Sequence, residues 1–395
     1  MKKSIVTACV ALMIMSIFAN DLFAQRLGRG TRQRRQAESS RNPDRFKPSL
    51  YLELPEWCHN PDGMTVCPET GLIYLNCPNF NNMTDGKKEF PATLSCIDKD
   101  GNFEKLLEYP ILEETGQCGP MGLDIGPDGN LYVCDNQYFH NKDHKSRILC
   151  VEMKKDGKPT GKITTVVEGM LLPNAILWHN NELWVTDTYA VPDEFGCGGV
   201  WRFKAEEIVN REEPLKVLPN GEDRRLVVKE RTKKIGREDN GGADGMTVDS
   251  NGVIYFGNFG DGVMYAVTVD ADDSVKCIKI LDDEKYQCCD GIYYDAASNL
   301  IFINDSQKNS IRVINPLRAG QTTVNCWTLW ENGDNNGAEG LLDQPAELVV
   351  RDGKMIIVNF DWPFPGLLNS KFDAPYTLSV IDITPLQNRG IRRSR

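Results

Sequence analysis

Three aspartates and one asparagine recur in a single sequence context, and that context suits them to hold a hard cation. Asp62, Asn174, Asp244 and Asp290 each open a run of alternating apolar residues, and Met121 and Ala346 hold the same place in two further runs. Carboxylates and an amide offer only oxygen, which matches Ca²⁺, Mg²⁺ or Mn²⁺ rather than a thiolate-seeking metal. Converging carboxylates with no cation between them would repel one another. At any single position, an Asp or Asn at this place can instead satisfy turn backbone groups. Recurrence at four of six equivalent positions favours the cation.

The elements that must position these residues form an internal repeat. The six runs open with Pro61-Asp62-Gly63-Met64, Pro120-Met121-Gly122-Leu123, Pro173-Asn174-Ala175-Ile176, Ala243-Asp244-Gly245-Met246, Cys289-Asp290-Gly291-Ile292 and Pro345-Ala346-Glu347-Leu348. Each continues through a tight turn, such as Asp352–Gly353, into a second apolar strand, as a hairpin does. Third strands follow at Thr93–Asp98, Arg147–Glu152, Gly199–Lys204, Val263–Val269, Ser310–Asn315 and Thr377–Asp382. Five copies then have a fourth strand or a long connection, and the sixth has only Thr384–Arg395. The strand it lacks is available at the other end, as Leu50–Leu54. Six units of four strands predict an all-β, six-bladed β-propeller closed by the N-terminal strand, which removes the exposed sheet edges. No helix is expected beyond a turn near Ala205–Arg211.

Propeller geometry puts the turns between first and second strands on one face. Connections between second and third strands, and between blades, lie opposite. The first set is short, and the second is long and varied: 77–91, 135–146, 187–198, 359–375 and the inter-blade segment 219–242. Long loops gathered on one face usually carry function. The six ring positions open the innermost strands on that face and should surround the mouth of the central channel.

The pattern resembles the family of gluconolactonase, senescence marker protein and luciferin-regenerating enzyme over roughly Leu50 to Ile383. Asp62-Gly63-Met64 stands where the family has Glu-Gly-Pro, followed by Pro68-Glu69-Thr70-Gly71. Pro173-Asn174-Ala175 is similar to its Pro-Asn-Gly, and Ala243-Asp244-Gly245-Met246 to its Pro-Asp-Gly-Met. The resemblance implies a six-bladed propeller with one divalent cation at the channel mouth, held by Asp62, Asn174 and Asp244. It points to Ca²⁺ first, with Mg²⁺, Mn²⁺ or Zn²⁺ as alternatives. Met121 aligns with the family's substrate-contacting Asn.

The expected function is metal-dependent hydrolysis of a lactone or related small ester, sugar-derived. A cation would polarise the carbonyl and stabilise the oxyanion. Asp244 or Asp290 would activate water. Met121, Tyr138, Tyr189, Phe259 and Trp362 are the candidate substrate contacts, the aromatics by stacking on a sugar ring. His59 and His140 read as loop residues, and no Gly-x-Ser-x-Gly context supports a serine nucleophile. The alternative is a non-catalytic exported propeller that binds a carbohydrate or protein with the same face, its cation structural.

Composition bounds the rest. The chain has 395 residues and a formal charge of −11, spread unevenly: Met1–Lys47 carries +7 and the remainder −18. An acidic body disfavours nucleic acid as a partner. Lys2-Lys3 and the apolar run Ile5–Phe18 read as a secretory signal cut after Ala24. The expected order is a signal peptide at 1–24, a basic disordered arm at 25–47, the propeller at 48–384 and a basic tail at 385–395. No integral membrane contact is expected, and the protein should be periplasmic or secreted. Twelve cysteines follow the signal. Export makes disulfides the expected state for most of them, with Cys58, Cys118 and Cys288 or Cys289 as candidates to pair across neighbouring blades.

Overall fold

The computed structural model describes residues 44–80, 90–191, 197–219, 221–232, 241–363 and 367–391. The predicted signal segment, Cys9 and most of the basic arm lie outside them. Two compact units divide the chain, Met1–Lys47 and Pro48–Arg395. All six blades belong to the second.

Each blade is an antiparallel sheet ordered from the axis outward. Blade 1 runs Met64–Val66, Ile73–Cys77, Thr93–Ile97, Phe103–Glu108. Blade 2 runs Pro120–Ile125, Leu131–Asp135, Ser146–Met153, Pro159–Met170, and blade 3 runs Pro173–His179, Glu182–Asp187, Cys197–Lys204, Leu226–Arg231. Blade 4 comprises Ala243–Val248, Ile254–Asn258, Met264–Val269 and Val275–Leu281; blade 5 comprises Ile292–Asp295, Leu300–Asp305, Ser310–Ile314 and Cys326–Glu331. Blade 6 has Pro345–Arg351, Lys354–Asn359 and Thr377–Asp382, and its outer strand is the N-terminal Ser49–Glu53. Glu53 pairs with Thr377 and Ser49 with Val380, as the closure argument requires. Each first strand packs on the first strand of the next blade, and the sixth packs on the first, so the ring is closed.

Alternation explains the core. Second strands such as Leu131–Asp135 are buried throughout, wedged between two neighbouring sheets, while outer strands such as Phe103–Glu108 are largely exposed. The hairpins at Asn180–Asn181 and Asp352–Gly353 have both central residues at positive φ, the primed turn that matches strand twist.

Three expectations change. The segment 219–242 is not only a connection, because it carries the fourth strand of blade 3 at Leu226–Arg231. Blade 2 gains a fifth strand, Leu215–Lys216, parallel to Pro159–Met170. The C-terminal tail is helical from Thr384 to Ile391. Pro385 suits a first helical turn, and Gln387 Nε2 donates to both oxygens of Asp295 at 3.2 Å, docking the helix on blade 5.

The cysteines also depart from expectation. Among the described residues one disulfide forms, Cys58–Cys77, with Cα atoms 5.6 Å apart. It closes within blade 1, not across blades. Cys96, Cys134, Cys289 and Cys326 are buried thiols. They lie in the sheets' apolar packing, where a thiol serves as a small hydrophobic side chain.

Candidate functional site at the channel mouth

The opening of each inner strand is where the blade meets the axis. In blades 2, 3, 4 and 6 the pairing slips by one residue there, between Pro120 and Leu123, Pro173 and Ile176, Ala243 and Met246, and Pro345 and Leu348. Such a bulge re-aims side chains at the end of a ladder. In blades 1 and 5, Asp62 N–H donates to Asn76 O and Asp290 N–H to Asn304 O, both at 3.0 Å. Asn76 Nδ2 continues to Met121 O at 2.6 Å and Asn304 Nδ2 to Ala346 O at 2.8 Å, so each stitches its blade to the next.

The Gly after the aspartate is not a turn residue. A Cβ on Gly63 would lie 2.2 Å from Met121 O, and one on Gly245 would lie 2.1 Å from Asp290 O. The glycine lets neighbouring inner strands touch. The Asp-Gly motif therefore belongs to the wall of the channel rather than to a turn.

Four carboxylates meet at this wall. Burial pushes Asp62 well up from its ordinary value, and Asp290 adds to the shift. Asp244 is also pushed well up, by burial first and then by Asp290, Asp62 and Glu347; a bond from Gly245 N–H opposes this. Blades 1 and 4 face each other across the ring, so Asp62 and Asp244 can sense one another only over the channel. Asp62 Oδ2 is buried and has no hydrogen-bond partner among the described residues. Asp290 is braced: Oδ1 accepts from Gly291 N–H at 3.0 Å and Oδ2 lies 2.5 Å from Ser306 Oγ. Ser306 Oγ also lies 2.6 Å from Pro345 O, and its single proton cannot go to both.

Asn174 stands at the equivalent bulge of blade 3, half-buried, with its backbone carbonyl against Gly122. Met121 is buried in an apolar cluster with Phe80, Ile176, Ala346 and Phe360. Trp362 packs against that cluster, stacked on Phe360 at 5.9 Å and edge-on to Phe80 at 5.4 Å. Tyr138 and Tyr189 stack on each other at 4.6 Å, with Lys142 Nζ 4.6 Å from the Tyr138 ring centroid. Phe259 is half-buried on the blade 4 loop, its N–H bonded to Gly242 O. His59 packs on Tyr376 at 4.7 Å, in keeping with a structural role.

Glu347 is the residue that the repeat pattern does not point to. The ring had been placed at Ala346, but the bulge brings the following side chain to the mouth. Glu347 is pushed well up by burial, with Asp62 and Asp290 adding to it against one bond from Leu348 N–H. The signal was present: the residue after the ring position is Gly or Ala in five copies and Glu in the sixth. A Cβ on Gly291 would lie 2.5 Å from Glu347 Oε1, so the small residue there makes room for the long one. Asp124, three residues along the inner strand from Met121, was also missed. Burial pushes it to about 6 despite bonds from Trp178 N–H, Ile125 N–H and the Thr65 hydroxyl.

These features fit a divalent cation: an orphaned buried oxygen, an unmet cluster of negative charge and an all-oxygen donor set. Among the described residues, the group of three carboxylates whose oxygens all lie within 4.8 Å of one another is found elsewhere, in blade 6.

Solved structures agree in fold. The chain is similar to luciferin-regenerating enzyme, with 12% identity, a TM-score of 0.53 and coverage of 85% of this chain and 94% of that one. A glucose dehydrogenase matches at 12% identity and a TM-score of 0.51, covering 85% and 99%. An auxiliary nutrient binding protein from Bacteroides thetaiotaomicron matches at 10% identity and a TM-score of 0.51, covering 85% and 76%. The fold is the six-bladed propeller that the motif resemblance implies. At such identities the likeness is one of fold alone, and the three names span unrelated activities. No protein-family profile and no curated protein sequence matches the chain.

Proposed function

We propose that the channel mouth is the active site of a divalent-metal-dependent hydrolase acting on a lactone or related small ester, sugar-derived. The observation that carries this reading is Asp62 Oδ2, buried without a partner among the described residues, in a carboxylate that repels those of Asp244, Asp290 and Glu347. Asp62, Asn174 and Asp244 would hold the cation, Ca²⁺ by its preference for oxygen. When bound, the cation would supply a Lewis acid for the ester carbonyl. Asp290 is the general base, because it faces the same space and is held in orientation by Gly291 N–H and Ser306. Trp362 and the apolar cluster that contains Met121 would supply the apolar side of the site.

A second reading, a binding module for carbohydrate or protein, draws on Met121, which presents a buried thioether and no hydrogen-bonding amide. Acid release from a lactone panel, followed in weak buffer with and without chelator, separates the two. The hydrolase reading expects metal-dependent turnover that falls at least about 100-fold in Asp290→Asn with cation affinity retained, and that falls together with cation affinity in Asp244→Asn. Saturable sugar binding with no turnover supports the second reading.

Export is part of the proposal. Among the described residues no helix is long and apolar enough to cross a membrane, and the Cys58–Cys77 disulfide is compatible with an oxidising compartment.

A further inference from the structure

Blade 6 holds a second acidic cluster, on the connection that enters its inner strand and the long connection that leaves its second strand. Asp343 precedes the inner strand, Asp361 follows Lys354–Asn359, and Asp373 precedes Thr377–Asp382. One oxygen from each lies within 4.8 Å of the others. Oxygens on opposite sides of a Ca²⁺ ion are about 5 Å apart, twice a Ca–O distance of about 2.3–2.6 Å. The three are therefore spaced as ligands of a single ion.

The cluster's own hydrogen bonds do not explain it. Asp343 is 1% exposed, and its Oδ1 has no partner. Asp373 Oδ1 is also buried without a partner, while its Oδ2 pairs with Lys371 Nζ at 2.7 Å. Asp361 is better supplied: Oδ1 accepts from Asn369 Nδ2 at 3.0 Å and Oδ2 from Asp373 N–H at 2.9 Å. Asp334 stands nearby and adds negative charge, with one oxygen bonded by Ser370 Oγ at 2.8 Å. One lysine thus faces four carboxylates, and two inward oxygens have nothing to accept from.

We propose that Asp343, Asp361 and Asp373 form a second divalent-cation site, for Ca²⁺, that clamps the long connection of blade 6. All donors are oxygen, and remaining positions in a six- to eight-ligand shell can be filled by water. The clamp matters because of what the loop carries. Asp361 adopts a positive φ of 50° between Phe360 and Trp362, which stack on each other and belong to the apolar cluster that contains Met121. Asn60 Nδ2 from blade 1 holds the carbonyls of Phe360 and Asp361 at 3.0 and 3.1 Å. Fixing Asp361 thus fixes one wall of the channel mouth. The site shares no residue with the mouth itself and does not depend on its being catalytic.

The test is a count of ions on the whole protein after chelation, by calorimetric titration with CaCl₂, beside melting temperatures in chelator and in excess Ca²⁺. Two ions per chain are expected. Asp343→Asn should lose one, with at least a tenfold weaker affinity at that site, and Asp244→Asn should lose the other. In chelator Asp343→Asn should melt no lower than the parent, because it removes an unpaired buried charge; in Ca²⁺ it should melt lower. Asp373→Asn, at the more exposed ligand, repeats the test if the first variant folds poorly. A stoichiometry unchanged by both blade 6 variants, or an equal melting temperature in Ca²⁺, overturns the clamp, with the three carboxyls then sharing protons. Loss of the ion sensitive to Asp244 alone bears on the channel reading and leaves this one standing.

Discussion

Asp187 and Asp62 are both buried aspartates beside a long loop, yet their surroundings are opposite. Asp187, at the end of a second strand, accepts from the N–H groups of Leu171, Leu172 and Tyr189 and from Trp201 Nε1. Asp135, its counterpart in blade 2, accepts from Gly119 N–H, Gln137 Nε2 and Arg147 Nε. Each pins the loop before its own blade. Asp62 has one oxygen with no donor at all. Burial raises both Asp187 and Asp62, but in Asp187 the donors oppose the shift, and in Asp62 a second carboxylate reinforces it. Burial of a charge therefore does not mark a functional site. The supply of donors separates a carboxylate that builds the fold from one that awaits a ligand.

The sharpest way to break this contrast is Asp187→Ala. It orphans four donors, and at about 1.5–3 kcal/mol for hydrogen bonds to a charged group the loss should exceed about 3 kcal/mol. Chemical denaturation checks this, and a cost under about 1 kcal/mol would erase the distinction. The opposite sign is expected for Asp244→Asn in chelator, a gain of about 1 kcal/mol from relieving like-charge repulsion. With free Ca²⁺ a hundredfold above its dissociation constant, the parent should regain about 2.7 kcal/mol that the variant does not.

The smallest effect is the pH dependence. Folded-state values of Asp62, Asp244 and Glu347 lie above those of the unfolded chain, so the folded state holds more protons. Their contribution is complete below about pH 4 and is lost as pH rises. The share from Asp124 is lost by about pH 6. Urea titrations from pH 4.5 to 8 in chelator should show this decline, and saturating Ca²⁺ should flatten it. A rise in stability over that range in chelator would contradict the assignment of unmet charge.

Much of the fold was legible because each blade writes the same alternation into sequence. The closing strand at Ser49–Glu53 followed from counting strands, and pairing bears it out. The channel aspartates were legible because Asp62, Asp244 and Asp290 share one place in the repeat. Glu347 was not, since a bulge decides which of two adjacent residues reaches the mouth, and a bulge leaves no mark in apolar periodicity. The blade 6 triad was hidden for another reason: its members sit on two separate connections, outside any repeat. The cysteines misled because export argues for bonding in general, whereas bonding needs paired geometry. Only Cys58–Cys77 among the described residues has it, at the end of a second strand where blades 2 and 3 use Asp135 and Asp187.

Closure by the N-terminal strand also sets an order of events in time. The strand at Ser49–Glu53 is synthesised first among the blades, but its partner, Thr377–Asp382, comes more than three hundred residues later. Until then the last blade has a bare edge, and Arg351, which bonds Tyr51 Oη and the carbonyls of Gly71 and Ile97, has none of its three partners in place. The ring is thus a latch that the chain can shut only when its synthesis is nearly complete, and contacts of such long sequence separation form slowly. A nascent chain of this kind remains an open ring for almost the whole of its production.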